Sequence, residues 1–159
     1  MTHKNKHLKP KIALYEPDIP QNTAAIIRTC SCLGAKIEII EPCGFMLNDH
    51  RFKRVVMDYL DIEMIKFYKN YEEFFETKKN EKVRIILMTT KASDSYSSFN
   101  FNINDTILFG RESSGVPEKI HKLVDKRLKI PLTFKKRSLN LASSVAITLA
   151  ESMRQNKLI

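Results

Sequence analysis

Leu108-Phe109-Gly110-Arg111-Glu112-Ser113-Ser114-Gly115-Val116-Pro117-Glu118 is the stretch whose reading decides the fold. An apolar run, Ile107-Leu108-Phe109, meets a glycine, opens into a polar loop, meets a second glycine and reaches Val116-Pro117-Glu118, where a proline suits the first turn of a helix. The pattern predicts a strand-to-helix turn. The chain has only four glycines, so two of them here imply backbone at positive φ or lying against a ligand.

Spacing removes the familiar versions of such a loop. Gly110 and Gly115 keep the G-x-x-x-x-G interval of a phosphate loop, but Val116-Pro117 stands where Lys-Ser/Thr would have to reach the phosphates. A nucleophile elbow needs glycine two residues before its serine, and those places hold Arg111 and Glu112. The dinucleotide fingerprint G-x-G-x-x-G is absent from the chain.

Outward from the loop, apolar strands alternate with helical stretches. Toward the N-terminus, Val83-Arg84-Ile85-Ile86-Leu87-Met88 reads as a buried strand ending at Thr89-Thr90-Lys91, and residues 92–104, rich in Ser and Asn, read as irregular. Ile12-Ala13-Leu14-Tyr15, Lys36-Ile37-Glu38-Ile39-Ile40 and residues 62–67 supply three further strands. Asn22 or Thr23 is placed to cap a helix through Leu33, stopped by Gly34, with Ile26, Cys30 and Leu33 on one face and Arg28 off it. Residues 48–57 predict a short helix carrying Arg51, Lys53 and Arg54, and Asn70 with Glu73 has capping-box spacing before another. Toward the C-terminus come a short helix over 118–124, a last strand at Leu128-Lys129-Ile130-Pro131, a basic loop and a long helix over 139–156. The alternation predicts an α/β domain with a mostly parallel sheet, whose ligands bind at the carboxyl ends of the strands.

At 159 residues the chain is expected to be a single domain, with residues 1–11 as a basic, mobile tail. Its hydrophobic share of 43% and charged share of 28% suit a globular protein. The start has no apolar leader and no run is long enough to span a bilayer, so a cytoplasmic protein without membrane contact is expected. Cys30, Cys32 and Cys43 lack metal-ligand spacing, which predicts buried free thiols and no metal. The net charge of +9 points to a polyanionic partner, although charge by itself serves solubility or attraction to anionic lipid equally well, so position must decide.

Three stretches together resemble the SpoU branch of the SPOUT RNA 2′-O-methyltransferases: Asn22-Thr23-Ala24-Ala25-Ile26-Ile27-Arg28, Leu108 to Pro117 as quoted above, and Ile130-Pro131 followed by Ser138-Leu139-Asn140-Leu141-Ala142-Ser143-Ser144-Val145-Ala146. The resemblance runs over residues 12–155 and is strongest to the minimal members that methylate nucleotide 34 of tRNA, a cytidine or modified uridine. It implies an α/β-knot with a C-terminal trefoil knot, S-adenosylmethionine as cofactor, tRNA as substrate and a homodimer. Carried over by position, Met88, Thr89, Gly110, Glu112, Ile130, Ser138 and Leu139 would hold the cofactor, and Asn22, Arg28, Glu112 and Asn140 would form the catalytic set. By charge, Arg51, Lys53, Arg54, Lys91, Lys135, Lys136 and Arg137 are candidate RNA contacts. Two departures stand out: Ala24-Ala25 replaces the family's Gly-Asn, and Ala150 occupies a position that is often aromatic. Methylation of another tRNA or rRNA site, a non-catalytic RNA-binding module, and a nucleotide-binding protein without RNA are the competing readings, and cofactor binding and RNA binding discriminate them.

Overall fold

In a computed structural model, described over residues 8–56, 65–134 and 137–159, the chain builds β1 (Lys11–Tyr15), α1 (Pro20–Leu33), β2 (Lys36–Ile40), α2 (His50–Val56), β3 (Ile65–Tyr68) and α3 (Tyr71–Asn80). It continues with β4 (Ile85–Met88), β5 (Thr106–Phe109), α4 (Glu118–Leu123), β6 (Lys126–Leu128) and α5 (Leu141–Gln155). The six strands of the described residues form one sheet in the order β3-β2-β1-β5-β4-β6, and every pairing is parallel. The expected sheet was mostly parallel; among these strands it is wholly so.

Parallel strands are buried on both faces, and the period of two divides their side chains cleanly. Ile12, Leu14, Ile37, Ile39, Ile86, Met88, Ile107 and Phe109 face a core completed by α1, α2 and α5 through Ile26, Ile27, Cys30, Phe52, Val145, Leu149 and Met153. Ala13, Tyr15, Ile40, Leu87 and Leu108 face the opposite core, closed by α3 and α4 through Tyr71, Phe74 and Ile120. The result is three layers. The chain steps outward from β1 to β3, then crosses back so that β5 lies beside β1, with Ile12 opposite Ile107 and Leu14 opposite Phe109. The order reverses between β1 and β5, and the loops leaving those two strands open a crevice above them.

Several local expectations are corrected. Helix α1 begins earlier: Ile19 is its extended N-cap with no side-chain bond, and Pro20 starts the helix with its preset φ, so Asn22 and Thr23 sit inside the first turn. Asn70 caps as predicted, accepting from Glu73 N at 2.9 Å, while Glu73 reaches back to Lys69 N at 2.7 Å. Strand β6 lies toward the N-terminal side of its predicted span, because its ladder with β4 ends where Met88 pairs with Leu128, leaving Ile130 and Pro131 free to turn away. Helix α5 starts at Leu141 with Asn140 as its cap. Lys11 belongs to β1, and the Pro10 carbonyl accepts from Lys36 N at 2.8 Å, so the basic tail ends before Pro10; residues 1–7 lie outside the described residues. The predicted residues 57 and 62–64 also lie outside them. Only Cys30 is a buried thiol, pushed up to about 12 by burial, whereas Cys32 is exposed and Cys43 half-buried. No helix among the described residues is long and apolar enough to cross a membrane.

A buried ion pair joins β2 to α3. Lys78 of α3, 1% exposed, reaches Glu38 of β2 at 2.6 Å, and the Tyr68 hydroxyl stands 3.4 Å from the same carboxylate oxygen. Burial lowers the Lys78 pKa, and Glu38 Oε2 has no hydrogen-bond partner. Truncating only the lysine would strand a buried carboxylate. Lys78→Ala is expected to lose about 3–5 kcal/mol of stability in urea unfolding, and the double variant Lys78→Met, Glu38→Leu to recover most of it, since paired removal leaves no orphaned charge.

Candidate active site at the strand ends

The loop between β5 and α4 is a closed hairpin. Arg111 N donates to the Gly115 carbonyl at 3.2 Å and Gly115 N donates back to the Arg111 carbonyl at 2.9 Å. A Cβ on Gly110 would lie 2.6 Å from Gly115 Cα, and Gly115 itself takes φ 67°. The positive-φ reading holds at Gly115, while Gly110 is required by close approach of the loop's own returning limb.

This hairpin is tied to the loop after β1 across the reversal point. Asp18 N donates to Glu112 Oε2 at 3.0 Å, and Glu112 N donates to Asp18 Oδ1 at 3.2 Å. The Ser113 hydroxyl donates to the second Asp18 oxygen. Arg111 adds charge contacts to Glu16 at 3.5 Å and to Asp18 at 3.4 Å, the latter too poorly aligned to serve as a hydrogen bond. Hydrogen bonding with Glu112, helped by Ser113 and Arg111, holds Asp18 at about 2, while burial pushes Glu112 up. Glu112 Oε1 is buried with no hydrogen-bond partner. Glu112 is thus a crevice residue with one carboxylate oxygen left unsatisfied.

The crevice encloses about 560 Å³, within the range of small-molecule sites. Met88, Thr89, Gly110, Glu112, Ile130, Ser138 and Leu139, the seven residues expected to hold a cofactor, all line it, as do Asn22, Asn140 and Lys91. Strands β4 and β5 deliver the first four at their carboxyl ends, and the segment between β6 and α5 folds over to deliver the last three. Asn140 Oδ1 accepts from Ser143 N at 3.2 Å as the cap of α5, which obliges its amide nitrogen to donate to Asn22 Oδ1 at 2.9 Å. That leaves the Asn22 amide nitrogen as an uncommitted donor on the wall.

Other residues fall elsewhere. Arg28 is exposed on α1 and does not line the crevice: it lies six residues, about 9 Å of helix axis and 120° of rotation, from Asn22. Arg51, Lys53 and Arg54 are exposed on α2, which packs on α1, and Arg137 is exposed beside Ser138; Lys135 and Lys136 lie outside the described residues. Sequence reasoning missed His121, buried on the wall with Nε2 3.0 Å from Thr89 Oγ1 and Nδ1 3.3 Å from the Pro117 carbonyl. No motif marks it; α4, whose Ile120 shares a core with Leu87 and Leu108, carries it to Thr89. It also missed Asp18, whose role depends on a partner 94 residues away.

A parallel sheet with a nucleoside-sized crevice over its reversal point defines an α/β protein that takes its ligand at the strand ends. The chain belongs to the SpoU rRNA methylase family, whose model matches residues 9–150. It is 44% identical over 144 residues to the tRNA (cytidine(34)-2′-O)-methyltransferase of Beijerinckia indica, covering 91% of this chain and 90% of that one. A solved structure described as giving insights into the 2-OH methylation of C/U34 on tRNA superposes with a TM-score of 0.88 at 32% identity, covering 94% of this chain and 97% of the other. The AdoMet-bound rRNA methyltransferase of Sinorhizobium meliloti shares the fold, with a TM-score of 0.82 at 24% identity over 92% of this chain and 56% of its own.

The clasp between the loops sets a pH signature. Asp18 has a folded pKa below its unfolded value, so its contribution is fully present above about pH 4 and fades as pH falls through about 2. Asp18→Asn is expected to lower the thermal midpoint at neutral pH, with the gap from the wild type closing in melts at successively lower pH. Gly110→Ala is expected to leave the far-UV circular dichroism intact and to abolish cofactor binding by calorimetry, because its methyl group would pry the hairpin open.

Proposed function

We propose that the protein methylates a ribose 2′-hydroxyl of tRNA at nucleotide 34, a cytidine or modified uridine, using S-adenosylmethionine. The observation that carries this reading is the convergence of three sequence motifs, far apart in the chain, on one crevice at the strand ends. The residues fit the cofactor: apolar walls at Met88, Phe109, Ile130 and Leu139 suit an adenosyl group, and loop backbone with Ser138 and Thr89 supplies polar partners. When bound, the cofactor supplies an electrophilic methyl group on a sulfonium centre.

The chain's part is positioning and proton handling. The Asn22 amide, fixed by Asn140, orients the ribose, and Glu112, with its unpartnered Oε1 and burial-raised pKa, accepts the hydroxyl proton. Arg28 binds the RNA phosphate; a guanidinium stays protonated and is no base. Its place outside its own crevice is met if the enzyme is a homodimer in which each Arg28 serves the partner's site. Ile147, exposed on α5, which packs beside α1, supports an apolar contact between copies. The single domain, the C-terminal trefoil knot and a cytoplasmic setting belong to the same reading.

The test is incubation with S-adenosylmethionine and undermodified tRNA, followed by digestion and mass spectrometry. Product at position 34 is expected; product elsewhere would change the substrate, and bound cofactor without product would favour the RNA-binding module. Arg28→Ala and Asn140→Ala homodimers are each expected to lose at least about 100-fold in kcat/KM, a transition-state loss of about 2.7 kcal/mol. A heterodimer carrying one substitution per subunit is expected to regain about half of wild-type activity, since one of its two sites keeps both residues. Complete inactivity of that heterodimer would place Arg28 in its own subunit's site.

A further inference from the structure

Resting on the RNA reading, we propose that Phe134 is a stacking platform for an unpaired RNA base next to the nucleotide held in the crevice. Phe134 is 73% exposed, the highest value among the large hydrophobic residues described, and the other exposed aromatic among the described residues, Phe67, reaches only 44%. A lone apolar residue at the surface requires no explanation by itself. Its position does: Leu132 and Ser138 both line the crevice, and Phe134 lies in the segment between them. Two residues from Leu132, its Cα stands within about 7 Å of the wall, a distance that one or two nucleotides span.

The charge around it fits the same occupant. Lys91 lines the crevice and is exposed, Arg137 is exposed three residues after Phe134, and the chain carries a net charge of +9. A polyanion tracking these cations would pass the ring. Single-stranded RNA is read by splaying bases onto aromatic faces beside basic groups, and every base offers a π-face. An apolar peptide would gain the ring but not the cations, and a duplex would offer no free base.

The chain has no tryptophan, so Phe134→Trp introduces a sole indole reporter. The probes are an RNA stem-loop carrying the target nucleotide and the same RNA with the neighbouring base removed, with binding followed separately by anisotropy of a label on the RNA. Emission from the Phe134→Trp variant is expected to be quenched by the intact RNA and not by the abasic one. Phe134→Ala is expected to raise KM for tRNA about 5- to 100-fold, the worth of one base stack, with kcat and the salt slope of binding unchanged, and Phe134→Tyr to restore KM. If the RNA binds and is methylated while the emission is unmoved and Phe134→Ala matches wild type, stacking is overturned and the methyltransferase reading stands. Emission that changes with protein concentration alone would assign the ring to a contact between copies and overturn the proposal. If the wild-type protein neither binds nor methylates the RNA, the functional reading fails first and takes the stacking proposal with it.

Discussion

The parallel pairing of β1 with β5 is the constraint on which the rest of the structure depends. It joins residues nearly a hundred positions apart, reverses the strand order and places two loops side by side that sequence keeps distant. Asp18 and Glu112 then lock those loops through reciprocal backbone bonds. Because each carboxylate satisfies the other loop's backbone, neither loop has the same shape alone. The crevice is a product of this junction, and α1 and α5 wall it because both cover the same face of the sheet.

Charge is placed under two regimes. Inside, carboxylates are kept by partners: Glu38 by Lys78, Asp105 by a two-pronged contact with Arg84 at 2.7 Å on each prong, Asp18 by backbone, Ser113 and Arg111. A buried charge without such partners would change its protonation state or unfold the region. Glu38 and Glu112 each keep one buried oxygen without a hydrogen-bond partner, but Glu38 has the Lys78 ammonium against its other oxygen, whereas Glu112 is held by backbone and sits where chemistry is proposed. An unsatisfied group away from the crevice, such as the Thr23 hydroxyl in α1, carries no charge and is tolerated more cheaply.

Outside, the basic residues are exposed and spread over separate elements: Arg28 on α1, Arg51, Lys53 and Arg54 on α2, Lys91 after β4, Arg137 before α5. Such charges add little to stability. They suit a long polyanion, which can touch several elements at once and whose release of counterions supplies affinity. The crevice, by contrast, is small and selective. Of these exposed cations only Lys91 also lines the crevice.

The seven crevice-lining positions proposed for the cofactor came from the resemblance of three motifs to the SpoU family; the α/β class and the strand-to-helix loop were legible in the sequence itself, because β-branched runs and sparse glycines are local properties of the chain. The Asn70 cap was legible for the same reason, needing only its neighbour at Glu73. Start and stop points failed where a tertiary partner decides them: β6 ends where β4 runs out of ladder, and α1 starts at Pro20 because the backbone geometry there outweighs a side-chain cap further along. Asp18 and His121 were invisible for a stricter reason, since an acid and an imidazole acquire a role only from what stands opposite, and that is set by strand order. The sequence alone determined which residues could form a site; the tertiary structure decided that Asn22 and Asn140 meet there and that Arg28 does not, because helix rotation and sheet topology fix direction, which composition and spacing leave open.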